Sequence, residues 1–156
     1  MSVADAGLST RAAQLLYAYA RAVDDGDIEA LRGLAVPEVS LTRSDGTKQG
    51  IEAFLDLYRA FAASPVQGSK HVIANVQAFP EPDGGLRALA YFVATMFDAG
   101  PQTRLVIGEY SDSMREVDGQ LRFTHKRITV QRVVTIPSGT TQYAGVSPVR
   151  TEQAAT

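Results

Sequence analysis

The chain has 156 residues, enough for one domain that buries about two thirds of its unfolded surface. Lys plus Arg number 15 against 17 Asp plus Glu, a formal net charge of -2, which supplies no overall basic field to hold nucleic acid or an anionic membrane. The absence of cysteine and the presence of only two histidines exclude a disulfide framework, a thiolate nucleophile, a Cys-ligated metal centre and a three-His metal site.

The opening stretch MSVADAGLST has neither the basic nor the apolar region of a secretory leader. No run approaches the roughly 18 apolar residues of a membrane span, so the expectation is a cytoplasmic protein without a membrane segment. After Ser9 or Thr10 as N-cap, residues 11–25 follow a helical period, with Leu15, Leu16, Tyr19 and Val23 on one side. Three acids crowd the end of this helix, Asp24, Asp25 and Asp27, where the macrodipole disfavours negative charge. At about 100° per residue, Asp24 falls about 80° from Leu16, on the shoulder of the buried face, while Asp25 points to solvent. Gly26 breaks the helix and Asp27 caps a second, short one, IEALRGL, which Pro37 ends. Only Asp24 is left without a local reason.

VSLTR (39–43) alternates as a strand, a turn follows through Asp45 and Gly46, and IEAFLDLYRAFAA (51–63) forms a third helix. From there the period changes to two. Residues 70–79, 86–98, 103–117 and 120–134 read as long strands joined by EPDGG, AGPQ and the hairpin pair Asp118-Gly119. The domain is therefore expected over residues 9–134, with an extended or disordered tail over 135–156. Helices followed by a meander of long strands imply an α+β fold, a cone-shaped curved antiparallel sheet covered by three N-terminal helices and enclosing a pocket at its open end.

Strict alternation along 70–79 puts His71, Ile73, Asn75 and Gln77 on one side and Val72, Ala74, Val76 and Ala78 on the other. Either the polar set faces solvent and His71 is a surface histidine, or it lines the cavity and His71 is a general base, since imidazole titrates near neutrality. A carboxylate on a buried helix shoulder needs a donor, and His71 would serve. Asp24 would then orient the ring and stabilise imidazolium, as a carboxylate does behind a catalytic histidine. Tyr17, about 20° from Asp24 on the helix, is a candidate substrate contact, as is Asn75. His125 lies in THKRI, expected on one face with Phe123 and Arg127. The trio His125, Lys126 and Arg127 reads as a solvated strand or an interface, too short for a nucleic-acid site.

The tyrosine-bearing first helix ending in VDDGD, the HVIAN strand and GEYSDSMREVDGQLRFTHKRI together resemble the SnoaL-like branch of the NTF2-like superfamily over about residues 9–134. That group includes scytalone dehydratase, the lindane dehydrochlorinase, bile-acid dehydratases and polyketide cyclases. The resemblance implies a His/Asp dyad, His71 with Asp24, acting without metal or organic cofactor. It also marks departures. The strand 86–98 offers Tyr91 or Thr95 where scytalone dehydratase has a second histidine, and the dehydrochlorinase's last-strand arginine falls at Thr129.

The expected function is thus a cofactor-independent lyase or isomerase (dehydratase, cyclase or double-bond isomerase) on a hydrophobic carbonyl or polycyclic small molecule, in secondary or catabolic metabolism. His71 and Asp24 would be catalytic, with Tyr17, Asn75, Tyr91 and His125 as substrate contacts. The alternative is a non-catalytic ligand-binding module or the small subunit of a larger enzyme. An exposed sheet face bearing Arg122 and Lys126 would suit a homodimer or higher homo-oligomer.

Overall fold

A computed structural model describes residues 4–99 and 102–137 of the chain. Helix α1 (Ala6–Asp25) starts earlier than residue 11, because Asp5, not Ser9 or Thr10, is its N-cap and accepts the Leu8 amide at 2.8 Å. Gly26 closes it with φ 68, a left-handed conformation that costs glycine little. Asp27 then caps α2 (Ile28–Gly33) by accepting the Ala30 amide at 2.9 Å, as expected. Pro37 does not stop this helix: α2 already ends at Gly33 with Leu34 as its C-cap, and Pro37 lies inside strand β1 (Ala35–Arg43). Strand β2 (Gly46–Gln49) forms the return arm of the expected turn, and α3 (Ile51–Ala62) buries Phe54, Leu55 and Tyr58.

Strands β3 (Gly68–Pro80), β4 (Leu86–Phe97), β5 (Thr103–Val117) and β6 (Gln120–Ile136) form the antiparallel meander. Positive φ at Asp118 (52) and Gly119 (77) gives the β5–β6 turn the primed geometry that suits strand twist. The sheet order is β2-β1-β6-β5-β4-β3, open at both edges, with β1 running parallel to β6. Residues 135 and 136 belong to β6, and the remainder of the expected tail, 138–156, lies outside the described residues.

Register shifts bend the sheet. One falls in β3 between Ala74 and Gln77, where Asn75 takes φ 53, and two fall in the β5–β6 ladder. Gly108 sits at one of these: an added Cβ there would meet the Thr129 carbonyl at 2.2 Å and the Phe92 ring at 2.8 Å. The helices cover the concave face, whose deep end is filled by aromatic rings. Tyr19 makes edge contacts with Tyr58, Tyr110 and Phe123, and Phe92 stacks on Tyr110 at 4.4 Å.

Lys126 does not face solvent. It is 0% exposed, its ammonium 2.7 Å from Asp112 and 3.6 Å from the Tyr110 ring centroid. A bulge at Thr124 causes this: Phe123 pairs with Met114 and His125 with Ser113, so Phe123 and Lys126 turn inward and His125 turns outward.

Candidate active site

Strand β3 is an edge strand, so every second amide along it points away from β4. Helix α1 answers two of them. The Ala78 amide donates to Ser9 Oγ at 3.0 Å and the His71 amide donates to Asp24 Oδ2 at 2.9 Å. Early α1 therefore meets late β3 and late α1 meets early β3: the two run antiparallel. Asp24 stands at the helix end because the edge strand supplies the donors that offset the unfavourable dipole.

The His71 side chain folds back onto the same carboxylate. Its Nδ1 lies 2.6 Å from Asp24 Oδ1, and Ser69 Oγ donates to Oδ1 at 2.7 Å. The side chains of His71 and Asp24 are each 8% exposed. An ionised carboxylate only accepts, so the proton of this bond sits on Nδ1 and the lone pair of the neutral ring is on Nε2. Burial raises the Asp24 carboxyl, yet the hydrogen bonds from His71 and Ser69 outweigh it and hold the group below its ordinary range.

The strand register places His71 in a row with Ala94, Val106 and Val133 on the concave face, next to the row of Ile73, Phe92, Gly108 and Val130. Ala94 and Phe92 beside the dyad are buried, whereas Val130 and Val133 at the β6 ends of these rows are about half exposed (47% and 53%). Beneath it the Tyr58 hydroxyl donates to that of Tyr19 at 3.1 Å. Burial, then the neighbouring Tyr19 and the charges of Asp112 and Asp24, hold the Tyr110 phenol protonated well above its usual range.

The other expected contacts are not gathered here. Tyr17 points to the same side of α1 as Asp24 but about 10 Å along the axis, and is 48% exposed. Asn75 is the bulge residue itself and faces solvent: the bulge ends the alternation that would have kept it beside His71 and turns Ala78 into the core. Tyr91 pairs with Ala74 and Glu109 on the convex face and is 54% exposed. His125 is on the convex side too, its Nε2 2.8 Å from Thr42 Oγ1, its pKa lowered by burial and by Arg127. Thr129 is also outward and exposed, so the cation that β6 turns inward is Lys126. Ser69, Tyr19, Tyr58 and Tyr110 are the polar groups that sequence reasoning passed over. Ser69 alone carried a signal, two residues before His71 and hence on its face.

Among the described residues no three His, Asp or Glu side chains converge as metal ligands. No helix among them is long and apolar enough to cross a membrane.

Residues 8–127 match the SnoaL-like domain family. The chain belongs to that family. Among solved structures with the SnoaL-like fold, a hexachlorocyclohexane dehydrochlorinase (LinA, type 2) superposes with a TM-score of 0.75 at 16% identity, over 90% of this chain and 100% of that one. A scytalone dehydratase-like protein from Novosphingobium aromaticivorans gives 0.73 at 16% identity, over 80% and 85%. Aln2 from a Streptomyces species gives 0.71 at 18% identity, over 83% and 94%. At such identities the likeness is one of fold. No curated protein matches the sequence.

Proposed function

We propose that this SnoaL-like protein is a cofactor-independent lyase or isomerase, a dehydratase, cyclase or double-bond isomerase, in which His71 removes a proton alpha to a carbonyl of a hydrophobic substrate. The observation that carries the reading is the 2.6 Å contact between His71 Nδ1 and Asp24 Oδ1 in a nearly buried pair. Asp24 fixes the tautomer and stabilises the imidazolium, leaving Nε2 to take the proton. The apolar rows through Val106 and Val133 suit a hydrophobic substrate, and the protonated phenols beneath are the donors closest in character to what a developing enolate needs. Reprotonation elsewhere on the substrate gives isomerisation; loss of a beta substituent gives elimination. The fold relatives that include a dehydrochlorinase are consistent with either. The protein would work in the cytoplasm.

The test is solvent-deuterium exchange at the alpha carbon of a panel of hydrophobic ketones. Wild-type protein catalyses exchange, and His71→Gln and Asp24→Asn each lower the rate about 10²- to 10⁴-fold with the circular dichroism spectrum unchanged. Full activity in either variant would remove the dyad from the reaction.

A second reading is favoured by the deep end of the concave face, where Tyr19, Phe54, Tyr58, Phe92, Tyr110 and Phe123 leave little room. The cavity of about 380 Å³ near Arg32, Pro37 and Arg122 lies away from the dyad. A ligand-binding module or small subunit would bind an apolar dye equally well with His71→Gln and catalyse no exchange. Self-association is proposed on the convex face around Val72 and Tyr91, which are 60% and 54% exposed; sedimentation decides it.

A further inference from the structure

Ser69 is 2% exposed, a buried hydroxyl whose bond goes to a side chain of another element, Asp24 Oδ1 at 2.7 Å. Oδ1 also receives His71 Nδ1 at 2.6 Å, and Oδ2 receives the His71 amide at 2.9 Å. Both carboxylate oxygens are therefore engaged, and the carboxylate plane is held from two directions. The arrangement follows from strand geometry: on edge strand β3, residues 69 and 71 share a face, so both reach one acceptor at the end of α1.

A carboxylate in this place is under two opposing influences, removal from water and the negative end of the helix dipole. Were it to take a proton, Nδ1 would lose its charged acceptor, and nothing would prevent the ring from carrying its proton on Nε2. Among the ionisable groups that interact with Asp24 are His71 from β3 and the Tyr110 phenol from β5, with Asp25 and Asp27 close in sequence. Burial disfavours the ionised form, and the hydrogen bonds from His71 and Ser69 sustain it.

We propose that Ser69 is a positioning residue of the dyad: its hydroxyl fixes Asp24, as an anion, against His71 Nδ1, so that Nε2 is the nitrogen left to accept a proton. The inference rests on the dyad reading above but is tested without a substrate. In protein carrying ¹³C-labelled aspartate and ¹⁵N-labelled histidine, the Asp24 Cγ shift reports its titration and the ring nitrogens of His71 report the tautomer.

In Ser69→Ala the Asp24 midpoint rises by about one pH unit, and the Nε2–H tautomer becomes populated. Ser69→Thr, which keeps the hydroxyl, restores both, and Ser69→Cys, a weaker donor, falls between. In the exchange assay Ser69→Ala loses about tenfold in kcat/KM, and KM is unchanged. An Asp24 midpoint and a His71 tautomer that do not move in Ser69→Ala or Ser69→Cys overturn the proposal. Absence of exchange activity in the wild type overturns the dyad reading instead, so the two failures are separable.

Discussion

Asp24 is the residue on which the most depends, and its charge state links function to stability. Its carboxyl is held below the ordinary range in the folded chain, burial being outweighed by the His71 and Ser69 bonds. A depressed carboxyl contributes stability that is complete above its unfolded pKa of about 3.9 and is lost as pH falls through the folded value. The stability gap between wild type and Asp24→Asn in urea should therefore be present at about pH 5 and close as pH falls below about pH 4. A gap that instead widened below about pH 4 would mean that Asp24 is protonated in the native state. The helical wheel was enough to separate Asp24 from Asp25, and the Gly26 break made Asp27 a cap, because rotation about a helix and capping are both local. It could not show that Ser69 joins the same carboxylate, since that bond depends on which helix end meets the edge strand.

At the scale of elements, strict alternation failed where the strands bend. The bulge at Asn75 carries it into solvent, and the bulge at Thr124 sends Phe123 inward and His125 outward. A period of two assumes an unbroken ladder, and a single extra residue inverts every side chain beyond it. His71 precedes the β3 bulge, so its face was legible; Asn75 occupies the bulge, so its face was not. Gly108 belongs to the same bending. With the Thr129 carbonyl only 2.2 Å from the position a Cβ would take, Gly108→Ala must part β5 from β6 locally. It should cost about 3 kcal/mol and lower the melting temperature by about 10 °C for a chain of this size. Calorimetry that found Gly108→Ala as stable as wild type would show that the ladder gives way cheaply.

For the whole molecule, the interior holds a charged pair that composition would place outside. Burial pushes the Asp112 carboxyl up and the Lys126 ammonium down, and each opposes the other's neutralisation. Asp112 Oδ1 also accepts the Arg127 amide at 3.0 Å, so the pair ties β5 to β6 beneath the aromatic cluster. Lys126→Met strands a buried carboxylate and should cost about 3–5 kcal/mol. The double variant Lys126→Met, Asp112→Asn keeps an acceptor for that amide and removes both charges, and should recover more than half the loss in urea unfolding. Equal destabilisation in single and double variants would mean that the ammonium packs on the rings without needing its carboxylate.

Hydrophobic period, helix-stopping glycine, capping aspartate and the Asp118-Gly119 turn were enough, without coordinates, to set three helices, the four-stranded meander and the inward turn of Asp24, because each acts over a few residues of chain. Tertiary structure alone decided which polar groups share the concave face with His71, that Lys126 is buried, and that Tyr17, Asn75, Tyr91 and His125 stand apart. Those outcomes depend on bulges and on the antiparallel seating of α1 along β3, where the energy of contacts between distant segments outweighs the local period.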